Sequence, residues 1–146
     1  MMVESNTDLV RRGYVAFSSG DLEELSELIA DDTTWHVGGH NALSGTYRGR
    51  DAVLDYFGRL VEVTEGTLWL QLLSITEIAP GTVIACLHLA ASAHGASFNE
   101  EVIQQIQVRD GQAVSCRTFL ENGHLWDDVV GRATITLPSP AREPVA

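Results

Sequence analysis

The sequence has no lysine. All nine cationic side chains are arginine, which excludes Schiff-base chemistry, an internal pyridoxal aldimine and a Walker-type phosphate lysine. It also lacks a GxGxxG run, a Gly-x-Ser-x-Gly elbow and a His-Glu-x-x-His pattern, the marks of a dinucleotide cradle, an acyl-transfer serine and a zinc protease. Positive charge is scarce: the formal net charge is -11 and the sequence pI is near 4.6. That balance argues against nucleic acid or an anionic membrane as a partner, since both draw on clustered cations. Apolar runs are only a few residues long, far short of the ~20 that a membrane span needs. The opening MMVESNTD lacks the charged and apolar regions of a signal peptide, so a cytoplasmic location is expected. Two cysteines, Cys86 and Cys116, cannot form a metal site alone and are expected as reduced core thiols. No cofactor and no metal are expected.

What is present is enough for one domain. A chain of 146 residues that is 45% hydrophobic can bury a core and a small internal pocket. Ser5 with Asp8 reads as a helix cap, and Val10, Gly13, Tyr14 and Phe17 follow at i, i+3, i+4 and i+7, so a first helix buries that face. Ser-Ser-Gly at 18–20 ends it. Asp21 with Glu24 caps a second, short helix with a Leu22, Leu25, Leu28 and Ile29 stripe. Thr33 to Val37 has the β-branched and aromatic content of a strand, and it enters a glycine-punctuated loop within TTWHVGGHNALSGTYRG, residues 33–49. Leu43 to Gly49 reads as the tie into a third helix, about Arg50 to Val61, marked by Val53, Tyr56, Phe57 and Leu60. Four strands follow at roughly 67–78, 82–93, 97–109 and 113–121, an antiparallel meander joined by Ala-Pro-Gly, His-Gly-Ala and Arg-Asp-Gly-Gln turns. Strands longer than the usual ~5–6 residues predict a twisted or bulged sheet curling around the helices. The domain is assigned to 1–137. The remainder, 138–146, reads as a flexible tail, because LPSPAREPVA is proline-rich with no apolar period.

Strand alternation singles out a few polar side chains. In 97–109, Phe98, Val102, Ile106 and Val108 share a side with Glu100 and Gln104. A carboxamide on that apolar face must find partners, since leaving it unpaired costs roughly 1–3 kcal/mol; it is a structural bridge or a ligand contact. His88 shares a face with Ile84, Cys86 and Ala90, as a satisfied histidine of core or interface. Arg117, Phe119 and Glu121 share a face on which Arg117 and Glu121 meet, at a cavity rim or in a dimer contact. His36 and His40 have i, i+4 spacing, but a strand and loop do not put them on one side for a metal. His36 is instead the best-placed single base, with a reference pKa of ~6.5. A neutral tyrosine hydroxyl and a glutamine amide suit an oxygen that becomes negative. The bland alternative is that Tyr14 and His36 bond each other or the backbone.

YVAFSSGDLEELSELIADDTTWHVGG followed by LSGTYRGRDAV is similar to the SnoaL-like group, and the closing FLENGHLWDDVVG resembles its C-terminal segment. This resemblance spans roughly residues 7–131. It implies an α+β, cystatin-like or nuclear transport factor 2-like cone: three N-terminal helices packed in a curved, mainly antiparallel sheet. Steroid isomerases on this fold use a first-helix tyrosine and a protonated acid as oxyanion donors, with a carboxylate base. By resemblance Tyr14 falls near the tyrosine, Gln104 near the second donor and His36 near the base, so the base has changed type and the acidic donor has become an amide. The related cyclases use a carboxylate near the C-terminal strand, a role open to Glu121 or Asp127. The resemblance implies a homodimer through the outer sheet face and a small hydrophobic molecule as partner.

Two functions stay open. One is a cofactor-independent lyase, isomerase or cyclase acting on a small hydrophobic carbonyl or polyketide-like compound, with His36 as base and Tyr14 and Gln104 as donors. The other is a non-catalytic ligand-binding or dimeric accessory domain. The ligand wall is assigned to Trp35, Phe17, Tyr56, His88, Arg117, Phe119 and Glu121, with Trp35 mainly packing.

Overall fold

The computed structural model describes residues 3–133; the proposed boundary at 137 and the tail beyond it lie outside the described residues. Helix α1 (Asn6–Ser19) starts where the Ser5 side chain accepts the Asp8 amide hydrogen, and it stops at Gly20, which turns the chain with φ 72°. Helix α2 (Leu22–Leu28) is capped by Asp21 accepting from the Glu24 amide. Ile29 does not extend that helix: it opens strand β1 (Ile29–Val37), four residues earlier than the β-branched run suggests. The segment read as a tie contains a further strand, β2 (Gly45–Arg48), before α3 (Arg50–Val63).

The meander is close to the expected one: β3 (Trp69–Ala79), β4 (Thr82–Ala93), β5 (Ala96–Arg109) and β6 (Gln112–Phe119). His94-Gly95 and Asp110-Gly111 each supply two consecutive positive φ angles, which type I′ two-residue hairpin turns require. A fourth helix, α4 (Gly123–Val130), was not assigned from sequence. The sheet order is β2-β1-β6-β5-β4-β3, antiparallel throughout except that β1 runs parallel to β6. Register shifts in β1/β6, β3/β4 and β5/β6 supply the bulges that bend long strands.

The inner face of the sheet carries the core. In β4, Val83, Ala85, Leu87, Leu89, Ala91 and Ala93 are buried while alternate residues are not, the period-2 signature of one covered face. Phe17, Trp35, Tyr56 and Phe57 meet edge-on or tilted, with ring centroids 5.2–5.8 Å apart, the separations at which aromatic pairs gain beyond their burial. Among the described residues no helix is long and apolar enough to cross a membrane. Both cysteines are free, but only Cys116 is a core thiol; Cys86 is half-buried on the outer face, opposite Ile103.

Candidate functional site

The helices do not fill the cone. Between them and the inner face lies a cavity of about 430 Å³, within the range of small-molecule sites, ~300–1,000 Å³. Its wall is mostly aliphatic and aromatic, with Leu9, Phe17, Trp35, Phe57, Leu87 and Trp126 among the lining residues. Two hydrogen-bonded groups of polar side chains stand on it.

The first is a chain of three side chains. Tyr14 Oη donates to Gln104 Oε1 at 2.6 Å, and Gln104 Nε2 donates to Thr118 Oγ1 at 2.8 Å. All three line the cavity. The arrangement follows from spacing: Gln104 sits between buried Val102 and Ile106 on β5, and the register sets it beside Thr118 on β6 and Ala85 on β4. Burial, with a smaller contribution from nearby Cys116, pushes the Tyr14 hydroxyl well above its ordinary range, so it stays neutral. Tyr56, also on the wall, is pushed up chiefly by burial as well.

The second is Asp127 on α4, only 3% exposed. Its Oδ2 accepts the His40 amide at 3.0 Å and its Oδ1 accepts Asn41 Nδ2 at 2.9 Å. Asn41 in turn accepts the Leu43 amide through Oδ1, and Ser44 Oγ donates to the Gly38 carbonyl. Backbone bonds from Ala42 to Gly131 and from Ala133 to His40 stitch the same loop to the residues after α4. Asp127 is thus the carboxylate of the cavity wall, and it holds the loop 38–44 against the cone. Its signal was weak in the sequence: the Trp126, Val129 and Val130 spacing marks a buried helical face, and Asp127 lies beside it.

His36 is a correction. It borders the cavity, but its ring lies on the outer side, with Nδ1 3.5 Å from Thr46 Oγ1. The register fixes this parity. Trp35 pairs with Tyr47 and buried Cys116, whereas His36 pairs with exposed Thr46 and exposed Arg117. Adjacent residues face opposite ways, so Trp35 and Val37 turn inward and pack on the core, and the large indole displaces histidine from the interior. His36 therefore does not join Tyr14 and Gln104, and Trp35 is part of the wall.

Phe17 and Tyr56 line the cavity, and Phe119 reaches its edge while half exposed. His88, Arg117 and Glu121 do not line it. His88 stands on the outer face, hydrogen-bonded to Asn99 and 5.6 Å from the Trp69 ring. Arg117 and Glu121 are exposed, and no ion pair joins them among the described residues. Strand parity explains His88 and Arg117; Glu121 lies beyond the end of β6.

A family model described as a SnoaL-like domain matches residues 10–116. The protein Rv0034 of Mycobacterium tuberculosis is 33% identical over 119 residues, covering 82% of this chain and 91% of that protein. Among solved structures, Bal32a from a soil-derived mobile gene cassette superposes with a TM-score of 0.82 at 30% identity, covering 86% of this chain and 96% of its own. A protein with a cystatin-like fold from Xanthomonas campestris gives a TM-score of 0.82 at 27% identity, covering 88% and 100%. The α+β cone is accordingly of the cystatin-like, nuclear transport factor 2-like class.

Proposed function

The chain belongs to the SnoaL-like domain family, and from that premise we propose that it holds one small, mainly apolar molecule with a carbonyl or hydroxyl oxygen, polyketide-like in character. The observation that carries this reading is the apolar cavity of about 430 Å³ with the Tyr14–Gln104–Thr118 chain on its wall. Apolar walls supply affinity by area, and a few placed polar groups fix orientation. Native mass spectrometry of the purified protein, followed by identification of any retained compound, is the first test. Trp35 and Trp126 line the cavity, so apolar ketones should also quench tryptophan fluorescence saturably; the absence of any saturable response across such ligands would sink the reading.

Asp127 supports a second reading, cofactor-independent isomerisation or cyclisation. Here the Asp127 carboxylate, which lines the same cavity as the neutral Tyr14 hydroxyl, takes a proton next to the ligand carbonyl while Tyr14 or Thr118 steadies the oxygen. The wild-type protein should then catalyse solvent deuterium uptake into the retained ligand, and Asp127→Asn should abolish uptake while leaving binding in place. Uptake that survives the substitution removes Asp127 from this role.

The proposal extends to the assembly. The outer sheet face exposes Trp69, Leu73, Ile103 and Phe119, and Ser74, Cys86, Ile103 and Phe119 form one row across four strands. An apolar sheet face of this kind supports a homodimer, in the cytoplasm. Light scattering should give twice the chain mass, and Ile103→Glu should halve it.

A further inference from the structure

Among the described residues, the Gln104 side chain hydrogen-bonds to two hydroxyls and to no other side chain. Tyr14 and Thr118 are its side-chain partners, Val102 and Ile106 flank it along β5, and the facing residue on β4 is Ala85. A hydroxyl offers one proton and two lone pairs, whereas a carboxamide has a donor end and an acceptor end. Neither neighbour therefore dictates which way the amide points. As it stands, Tyr14 donates to Oε1 and Thr118 accepts from Nε2. A half-turn of the carboxamide exchanges oxygen and nitrogen in nearly the same volume. Tyr14 then accepts from Nε2 and Thr118 donates to Oε1, and the number of hydrogen bonds is unchanged.

We infer that Gln104 is a polarity relay that lets the cavity take one apolar skeleton with its oxygen as either a ketone or an alcohol. The inference rests on the pocket reading above and adds to it the class of ligand. In the present orientation the Tyr14 proton is committed to Gln104, so Tyr14 shows the cavity a lone pair, which suits a ligand hydroxyl. After the half-turn Tyr14 shows a proton, which suits a carbonyl. The two ends of the chain always carry opposite polarity, and a carbonyl beside Tyr14 selects the turned orientation because it can only accept, whereas an alcohol, which can donate or accept, leaves the resting orientation in place. The residue thereby sets specificity without touching the ligand first.

The matched pair trans-2-decalone and trans-2-decalol tests this by calorimetry on the full chain. Wild type should bind both with affinities within about threefold of each other, because each finds its complementary hydroxyl. Gln104→Glu, at a pH where the introduced carboxyl is ionised, accepts from both hydroxyls and leaves this chain with only lone pairs to offer the ligand. It should weaken the ketone by about tenfold or more and spare the alcohol, the loss of one neutral hydrogen bond on one side only. A wild-type preference beyond about tenfold, or equal weakening of both ligands in the variant, overturns the inference. Binding of neither ligand to wild type overturns the pocket reading and the inference with it. Should the variant not fold, the wild-type Gln104 side-chain amide signals in a ¹⁵N-edited spectrum decide: they should differ between the two complexes in the environment of both amide protons, and an identical pattern overturns the relay.

Discussion

Two donors, the His40 amide and the Asn41 carboxamide, converge on Asp127, and each needs an acceptor of its own. Asparagine at 127 keeps one carbonyl oxygen and turns an N–H toward the other donor. Asp127→Asn should therefore lower unfolding free energy by about 1–3 kcal/mol in urea melts, the cost of one buried donor left unpaired. Gly39 constrains the same place. A Cβ there would sit 2.5 Å from Asp127 Oδ1 on a backbone with φ 85°, so Gly39→Ala should cost about 2 kcal/mol or more and weaken ligand quenching alongside. Tyr14 and Gln104 were legible in the sequence because each is an out-of-place polar group within a local period. The inward face of Trp35 and the burial of Asp127 were not. The first depends on pairing with β2 and β6, and the second on contacts 86 and 87 residues away in sequence.

Elements whose pattern is local were read within two residues or so, including α1, α3 and the long strands, since apolar spacing and turn chemistry agree there. The two that escaped, β2 and α4, are short and take their stability from elsewhere: among the described strands β2 pairs only with β1, and α4 packs its Trp126 edge-on against Phe98 of β5, with ring centroids 5.3 Å apart. A helix of eight residues does not persist alone in water. One further tie holds α4. His94, in the β4–β5 turn, donates through Nδ1 to the Val129 carbonyl at 2.8 Å, and its ring packs against Gly131. Replacing it with alanine removes a partner from a carbonyl at the helix end, a loss of about 1 kcal/mol. Hydrogen exchange should show α4 and the loop 38–44 opening together in His94→Ala while β4 and β5 keep their protection. Uniform loss across the sheet would instead mean that α4 is not a separable unit.

At the scale of the whole molecule, the cone buries acids that cannot ionise in place. Burial holds the Cys116 thiol and the Tyr14 and Tyr56 hydroxyls above their ordinary ranges, with Cys116 adding to the rise at both tyrosines. In the unfolded chain these groups lose their protons near pH ~8.5 for cysteine and ~10 for tyrosine. Between those values and the raised native ones, the native state binds more protons than the unfolded state, so stability falls as pH rises. The stabilisation is complete below about pH 8 and then declines, first through Cys116 and then through the tyrosines, each at up to about 1.4 kcal/mol per pH unit. Urea melts followed by tryptophan fluorescence should show stability dropping ever more steeply from about pH 9 upward. Cys116→Ala should remove the earliest part of that slope even though the cavity it creates lowers stability at neutral pH. A pH-independent midpoint between about pH 8 and 11 would show that water reaches these three groups in the folded protein, and the dry wall on which the ligand reading depends would go with it.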